Sequence, residues 1–353
     1  MTIQPSLNSW VNQPLPIFHS CRYITAFYGP LSLLITLNST FASADMTQAN
    51  YQLLHWVLKI GNLKDDIQRV FEPILGFHVL RHEEFSQGCE AQCNGPFSRP
   101  WSKTMLGYGE EERHFVLELA FNYGITSYKH GRDLRCILIH DPQGHVHQRA
   151  QSILSSDQYD AERRCIRSHD GYMFQLVSEA PASFPELPST GRAGMLGVSL
   201  YVESLQRTSA YYRDILSMTV SPVYTLEDGK RAAYGTYSSP HHQDIGPMVV
   251  EWVELGEPID HGKADGRMAI AVPTAEMDGI EERVRLNKDR VHTERVKLDT
   301  PGKATVEVVI LLDRDGYEIC IVGAEAFFEL CRPIPGGNVI DWEQRIENGS
   351  KEQ

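Results

Sequence analysis

A chain of 353 residues, 42% hydrophobic and 22% charged, is long enough for two globular domains and too apolar for wholesale disorder. Its formal charge of −13 leaves 33 Lys and Arg scattered among 46 Asp and Glu, which argues against nucleic acid as a partner. Seven cysteines are an odd count that does not suit a disulfide framework and points to a reducing compartment. Cys89 and Cys93 read as two loop thiols, because no second pair stands at zinc-finger spacing.

Residues 1–45 admit three readings. Ile24–Leu37 is apolar but broken by Gly29 and Pro30, and too short to span a bilayer, so no membrane is expected. Ala42-Ser43-Ala44 resembles a signal-peptidase site, although the apolar run starts late and Arg22 is its only basic neighbour. A mitochondrial transit peptide would be acid-poor, as this segment is, and Arg-rich, as it is not. The preferred reading takes Met46 as the working start, with a cytoplasmic or mitochondrial location.

From residue 51 one pattern returns four times. Leu54–Ile60 alternates as a strand, Leu63–Leu75 places Ile67, Val70, Phe71 and Ile74 at helical spacing, and Gly76 ends that helix. Phe77–Phe85, Ser102–Gly107 and His114–Phe121 read as further strands. A second unit runs from Leu134–His140 through a helix near Val146–Leu154 to Tyr172–Val177. A third has a strand from Met195, a helix over Leu205–Leu216, and strands over Met218–Leu226, Arg231–Tyr237 and Met248–Leu255. The fourth runs from Arg267–Val272 through Glu276–Asn287 to Tyr317–Val322. Units two and four end alike, in Asp170-Gly171-Tyr172 and Asp315-Gly316-Tyr317, tight turns into a final strand. The expected fold is α+β: four β-α-β-β-β modules in two domains, paired as 51–180 and 193–324. A Pro- and Ser-rich linker falls at 181–192 and a tail begins at 325. Paired sheets of this kind leave a concave groove, a natural small-molecule site.

Strand alternation puts His55, Val57 and Lys59 on one face, and Glu118, Ala120 and Asn122 on one face of another strand. If both faces meet the groove, imidazole and carboxylate form a pair suited to zinc or nickel. The alternative is a core histidine and a solvated glutamate. His145 and His147 lack a third partner at metal spacing, and the adjacent His241 and His242 sit in loop-like sequence, so all four are expected at the surface. No P-loop, dinucleotide turn or Gly-x-Ser-x-Gly elbow is present.

The strings LHWVLKIGNL, ILGFHVLRHEE and HFVLELAFNYG resemble the glyoxalase I group of the vicinal oxygen chelate superfamily. VLRHEEF, CNGP, WSKTMLGYG, LDTPGKATVEVVIL and DGYEICIVG extend the resemblance from about Tyr51 to Leu330. It implies the paired-module fold, lactoylglutathione lyase chemistry on the glutathione adduct of methylglyoxal, and a divalent metal held by four side chains. Carried over position by position, the ligands fall on His55, Glu118, Cys136 and Gln175, with Glu118 left as the catalytic base. Glutathione as co-substrate would meet Lys59, Asn122 and Arg132.

The last two metal positions depart from the family's histidine and glutamate. A buried thiol ionises reluctantly, and an amide has no basic site near neutral pH. In the other half the positions fall on Gly197, Glu251, Arg267 and Cys320, a set without metal in which Glu318 is expected to pair with Arg267. Two functions follow: a glyoxalase-like lyase acting on a small glutathione adduct, or a binding or scaffold protein that keeps the fold without the chemistry. An iron dioxygenase of the same superfamily would need two histidines and a carboxylate, and only His55 is placed.

Overall fold

In the computed structural model, which describes residues 51–179, 191–238, 247–300 and 303–332, the first module opens with β1 (Gln52–Lys59). The helix that follows, α1, is α-wound over Leu63–Asp66 and π-wound over Ile67–Leu75. β2 (His78–Phe85), β3 (Trp101–Gly107) and β4 (Val116–Asn122) complete the module. The second has β5 (Leu134–His140), α2 (His145–Ile153), β6 (Tyr159–Asp160), β7 (Cys165–Arg167) and β8 (Met173–Val177).

The third module begins with β9 (Gly194–Val202) and α3 (Leu205–Asp214), whose first turn is capped by the Ser204 side chain accepting from Arg207 N. The expected strand over Met218–Leu226 is split into β10 (Thr219–Val220) and β11 (Tyr224–Thr225), because Pro222 between them has no N–H for the ladder. β12 (Arg231–Thr236) and β13 (Val249–Glu254) follow. The fourth has β14 (Arg267–Val272), α4 (Met277–Leu286), β15 (Arg290–Leu298), β16 (Val306–Leu312) and β17 (Glu318–Gly323). The tail starts as a helix, α5 (Ala324–Leu330). Expectations for residues 1–45, for His241 and His242, for most of the linker and for the chain beyond 332 lie outside the described residues.

Strand pairing crosses the grouping expected from chain order. One sheet runs β15-β16-β17-β14-β1-β4-β3-β2, joining modules one and four; the other runs β10-β12-β13-β9-β5-β8-β7-β6, joining two and three. The joints are antiparallel contacts of first strands, β1 with β14 and β5 with β9. Each first strand is its module's free edge, and an unpaired edge leaves a row of backbone donors and acceptors to satisfy. Any two such edges satisfy each other, so chain order alone does not choose the partner.

The two sheets share one core. Trp56, Leu58 and Ile60 of the first module meet Ile137, Val198, Leu200 and Met268 there, with α1, α3 and α4 supplying Phe71, Tyr212 and Ile280. Burying side chains of this size stabilises the fold by about 2 kcal/mol each. Val57, on the opposite face of β1, belongs instead to a small cluster with Trp101 and Ala120 beneath the groove.

An internal two-fold likeness runs deeper than the strand pattern. The Tyr172 hydroxyl donates to Lys59 O (2.6 Å), and that of Tyr317 donates to Tyr201 O (2.6 Å). His130 stacks edge-on against Tyr172 and bonds Asp170 O, while His261 does the same with Tyr317 and Asp315 O. The loops bearing these histidines touch backbone to backbone. A Cβ on Gly131 would stand 2.0 Å from Asp260 O, and one on Gly262 would stand 2.4 Å from Gly131 N, so neither position tolerates a side chain. Among the described residues no helix is long and apolar enough to cross a membrane.

Candidate functional site

Strand registers decide which side chains share the groove of the first sheet. Val57 lies opposite Glu118 and opposite Arg267, and Arg267 lies opposite Glu318. One pleat along, His55 lies opposite Ala269, which lies opposite Cys320. His55 Nε2 and Glu118 Oε2 are 3.4 Å apart and buried, with the Phe327 ring of α5 packed over the imidazole at a centroid distance of 6.1 Å. Loss of hydration pushes the His55 pKa down to about 3 and pushes that of Glu118 up, against the opposing pull of Lys103 and Arg81 on the carboxylate. The contact therefore joins a neutral ring to a carboxyl that resists ionisation. His55 Nδ1 has no hydrogen-bond partner among the described residues.

Beside this pair opens a cavity of about 450 Å³. Its lining includes four cations, Lys59, Lys129, Lys263 and Arg267, against two carboxylates, Asp265 and Glu318. The carboxylates are engaged: Lys59 Nζ bonds Asp265 at 2.7 Å and Arg267 Nε bonds Glu318 at 2.7 Å, the pairing expected from sequence. Lys129 and Lys263 have no acid partner among the described residues. The backbone holds them together, since Lys263 N and Ala264 N both donate to Lys129 O (2.7 and 3.2 Å). The cavity therefore carries surplus positive charge.

The expected four-ligand set is not assembled. Cys136 and Gln175 lie on β5 and β8 of the other sheet, because β1 pairs with β14 and not with β5. Cys136 is buried there opposite Ser199, and burial pushes its thiol up to about 12. The Gln175 amide is spent on main chain, donating to Arg163 O at 2.7 Å. Their neighbours are Gly197 and Glu251. A Cβ on Gly197 would stand 1.9 Å from Val249 O, which rules out any ligating side chain. Glu251 accepts from Ser199 Oγ (2.5 Å) and the Tyr224 hydroxyl (2.6 Å).

Of the glutathione positions, only Lys59 reaches the cavity. Asn122 is buried in a closed network: it donates to Asn94 O (2.9 Å) and the Tyr128 hydroxyl (2.9 Å) and accepts from Asn94 Nδ2 (2.8 Å). Arg132 is exposed, outside the cavity lining, and paired with Glu257. His145 is exposed as expected, whereas His147 is half-buried and bonds the Tyr159 hydroxyl.

A divalent zinc or nickel ion does not fit the residues beside His55 and Glu118. The third position is Arg267, whose guanidinium repels a cation, and the fourth is Cys320, whose thiol burial pushes up to about 12. Ala269, directly between His55 and Cys320, offers no donor. Among the described residues no three His, Cys, Asp or Glu side chains converge at metal distance.

Several groups escaped the sequence reading. Lys129, Lys263, Asp265 and His292 reach the cavity from loops and from an edge strand whose signal is weak. The repeated His-Gly of 130–131 and 261–262 was the legible sign that the two loops correspond. Cys89 and Cys93, read as free thiols, are joined by a disulfide, and Cys93 lines the cavity.

The model of the "glyoxalase domain-containing protein 4-like, C-terminal domain" family matches residues 204–330. Glyoxalase domain-containing protein 4 of Rattus norvegicus is 37% identical over 291 residues, covering 81% of this chain and 90% of that protein. Glyoxalase 1 of Caenorhabditis briggsae is 35% identical over 281 residues, covering 79% and 90%. The crystal structure of glyoxalase I from Zea mays aligns with a TM-score of 0.59 at 19% identity, over 78% of this chain and 94% of that one, which establishes the shared fold. The chain belongs to the glyoxalase domain-containing protein 4 family, on the glyoxalase fold.

Proposed function

We propose that this protein is a binding member of the glyoxalase family that takes a small anionic molecule of the glutathione-adduct class and does not run metal-dependent lactoylglutathione formation. The single observation that carries the reading is the cavity's unbalanced charge: Lys129 and Lys263 line it without an acid partner among the described residues, while Arg267, paired with Glu318, stands where a metal ligand would be. Two ammonium groups without an acid partner suit a ligand carboxylate, which each binds as a point charge. Glu118, the carboxylate left to act as base, is not part of the cavity lining, so a ligand held there has no base within reach at that position.

The test is calorimetry with S-methylglutathione beside elemental analysis and a lactoylglutathione assay. Binding without stoichiometric metal and without turnover in added zinc, nickel or cobalt is expected. Stoichiometric metal with turnover from methylglyoxal and glutathione would overturn this reading in favour of the lyase.

A further inference from the structure

The cavity wall contains a disulfide. Residues 89–95 form a tight turn in which Gln92 N donates to Cys89 O (2.8 Å) and Gly95 N to Gln92 O (2.9 Å), and the Cys89–Cys93 disulfide closes its base. Arg267 holds the turn against the groove, donating to Ala91 O (2.8 Å) and Gln92 O (3.2 Å). Asn94 ties its far side to Asn122. Lys59 abuts it so closely that a Cβ on Gly95 would stand 3.4 Å from the ammonium nitrogen. Both cysteines are half-buried, and Cys93 lines the cavity together with Lys59, Lys129, Lys263 and Arg267.

We propose that Cys93 is a thiol-exchange site for an anionic low-molecular-weight thiol seated in this cavity. This rests on the anion-binding reading above. The incoming thiol, as thiolate, attacks Cys93 Sγ; a new S–S bond forms to Cys93 as the Cys89–Cys93 bond breaks. Cys89 departs with the electron pair and takes up the proton that the thiol released. One disulfide replaces another, so no external oxidant or reductant enters. The surplus charge of Lys129 and Lys263 in the same cavity favours the entering thiolate. Return attack by Cys89 expels the ligand and restores the turn.

The experiment uses full-length protein after air oxidation, treated with glutathione, neutral 2-mercaptoethanol or cationic cysteamine at equal thiolate concentration. Intact mass and peptide mapping follow the adduct. Glutathione is expected to modify Cys93 about tenfold faster than cysteamine. Excess S-methylglutathione, which has no thiol, and the Lys129→Ala, Lys263→Ala double variant should each slow it several-fold. Cys89→Ser treated with oxidised glutathione should hold a stable adduct on Cys93. Free thiols at both positions in the oxidised protein, an adduct on Cys89, or rates indifferent to thiol charge would each overturn the proposal. S-methylglutathione binding without any adduct would sink the exchange and leave the binding function standing, whereas failure of binding removes both.

Discussion

His55 Nε2 stands 3.4 Å from Glu118 Oε2, yet the two are not an ion pair in the ordinary sense, because burial disfavours the charged form of each. The histidine's folded-state pKa of about 3 lies below the unfolded value near 6.5. The folded protein thus binds fewer protons at this site, so the contribution is fully present above about pH 6.5 and is lost as pH falls toward 3. NMR titration of the His55 ring should show a neutral imidazole from pH 8 to about pH 5. A midpoint near 6 would contradict the desolvated pair.

Arg267 and Glu318 form the ion pair that fills the third ligand position. Arg267→Ala strands a carboxylate and frees two carbonyls of the cavity turn, and should cost about 3 kcal/mol in urea denaturation. Adding Glu318→Gln should recover part of that loss, because the stranded charge is removed. If the double variant is as unstable as the single one, the pair's role is packing alone.

The Asn94–Asn122 network fastens the wall of the cavity to β4. Asn122→Ala removes one acceptor of the Asn94 carboxamide, which keeps Phe97 O (3.1 Å), and takes the donor from the buried Asn94 carbonyl, at a cost of about 2 kcal/mol. Because the same turn lines the cavity, affinity for S-methylglutathione should fall several-fold in calorimetry at a temperature where the variant remains folded. Unchanged affinity would separate the turn from the ligand.

Asp66 is a buried carboxyl at the first turn of α1 that accepts from His169 N (2.6 Å) near the Asp170 turn. Desolvation pushes its pKa up to about 7, above the unfolded value near 3.9. A raised carboxyl pKa means that the folded state holds the proton longer. Its share of stability is greatest below about pH 4 and declines as pH rises to 7. Asp66→Asn removes that titration, so the variant should gain on the parent across this window when urea midpoints are compared. Parallel pH profiles would show that Asp66 titrates normally.

The sequence by itself determined the local chemistry: the strand alternation that sets His55, Val57 and Lys59 together, the helix ended by Gly76, the paired Asp-Gly-Tyr turns and the four-fold module. These are short-range properties, fixed by backbone periodicity and turn sterics, and they also carried the resemblance to the family. The Arg267–Glu318 pair was legible for the same reason, as two pocket-facing positions of opposite charge. β15 and β16 were not resolved in the sequence reading, and β15, a charged edge strand, gives only a weak alternation signal.

Only the tertiary structure decided which module meets which. The free edges of β1, β5, β9 and β14 present equivalent backbone hydrogen-bonding rows, and nothing local distinguishes their partners. Joining β1 to β14 split His55 and Glu118 from Cys136 and Gln175 and put Arg267 and Cys320 beside them instead. The same long-range pairing brought two loops from different halves of the chain together at Gly131 and Gly262, and with them the lysines of the cavity.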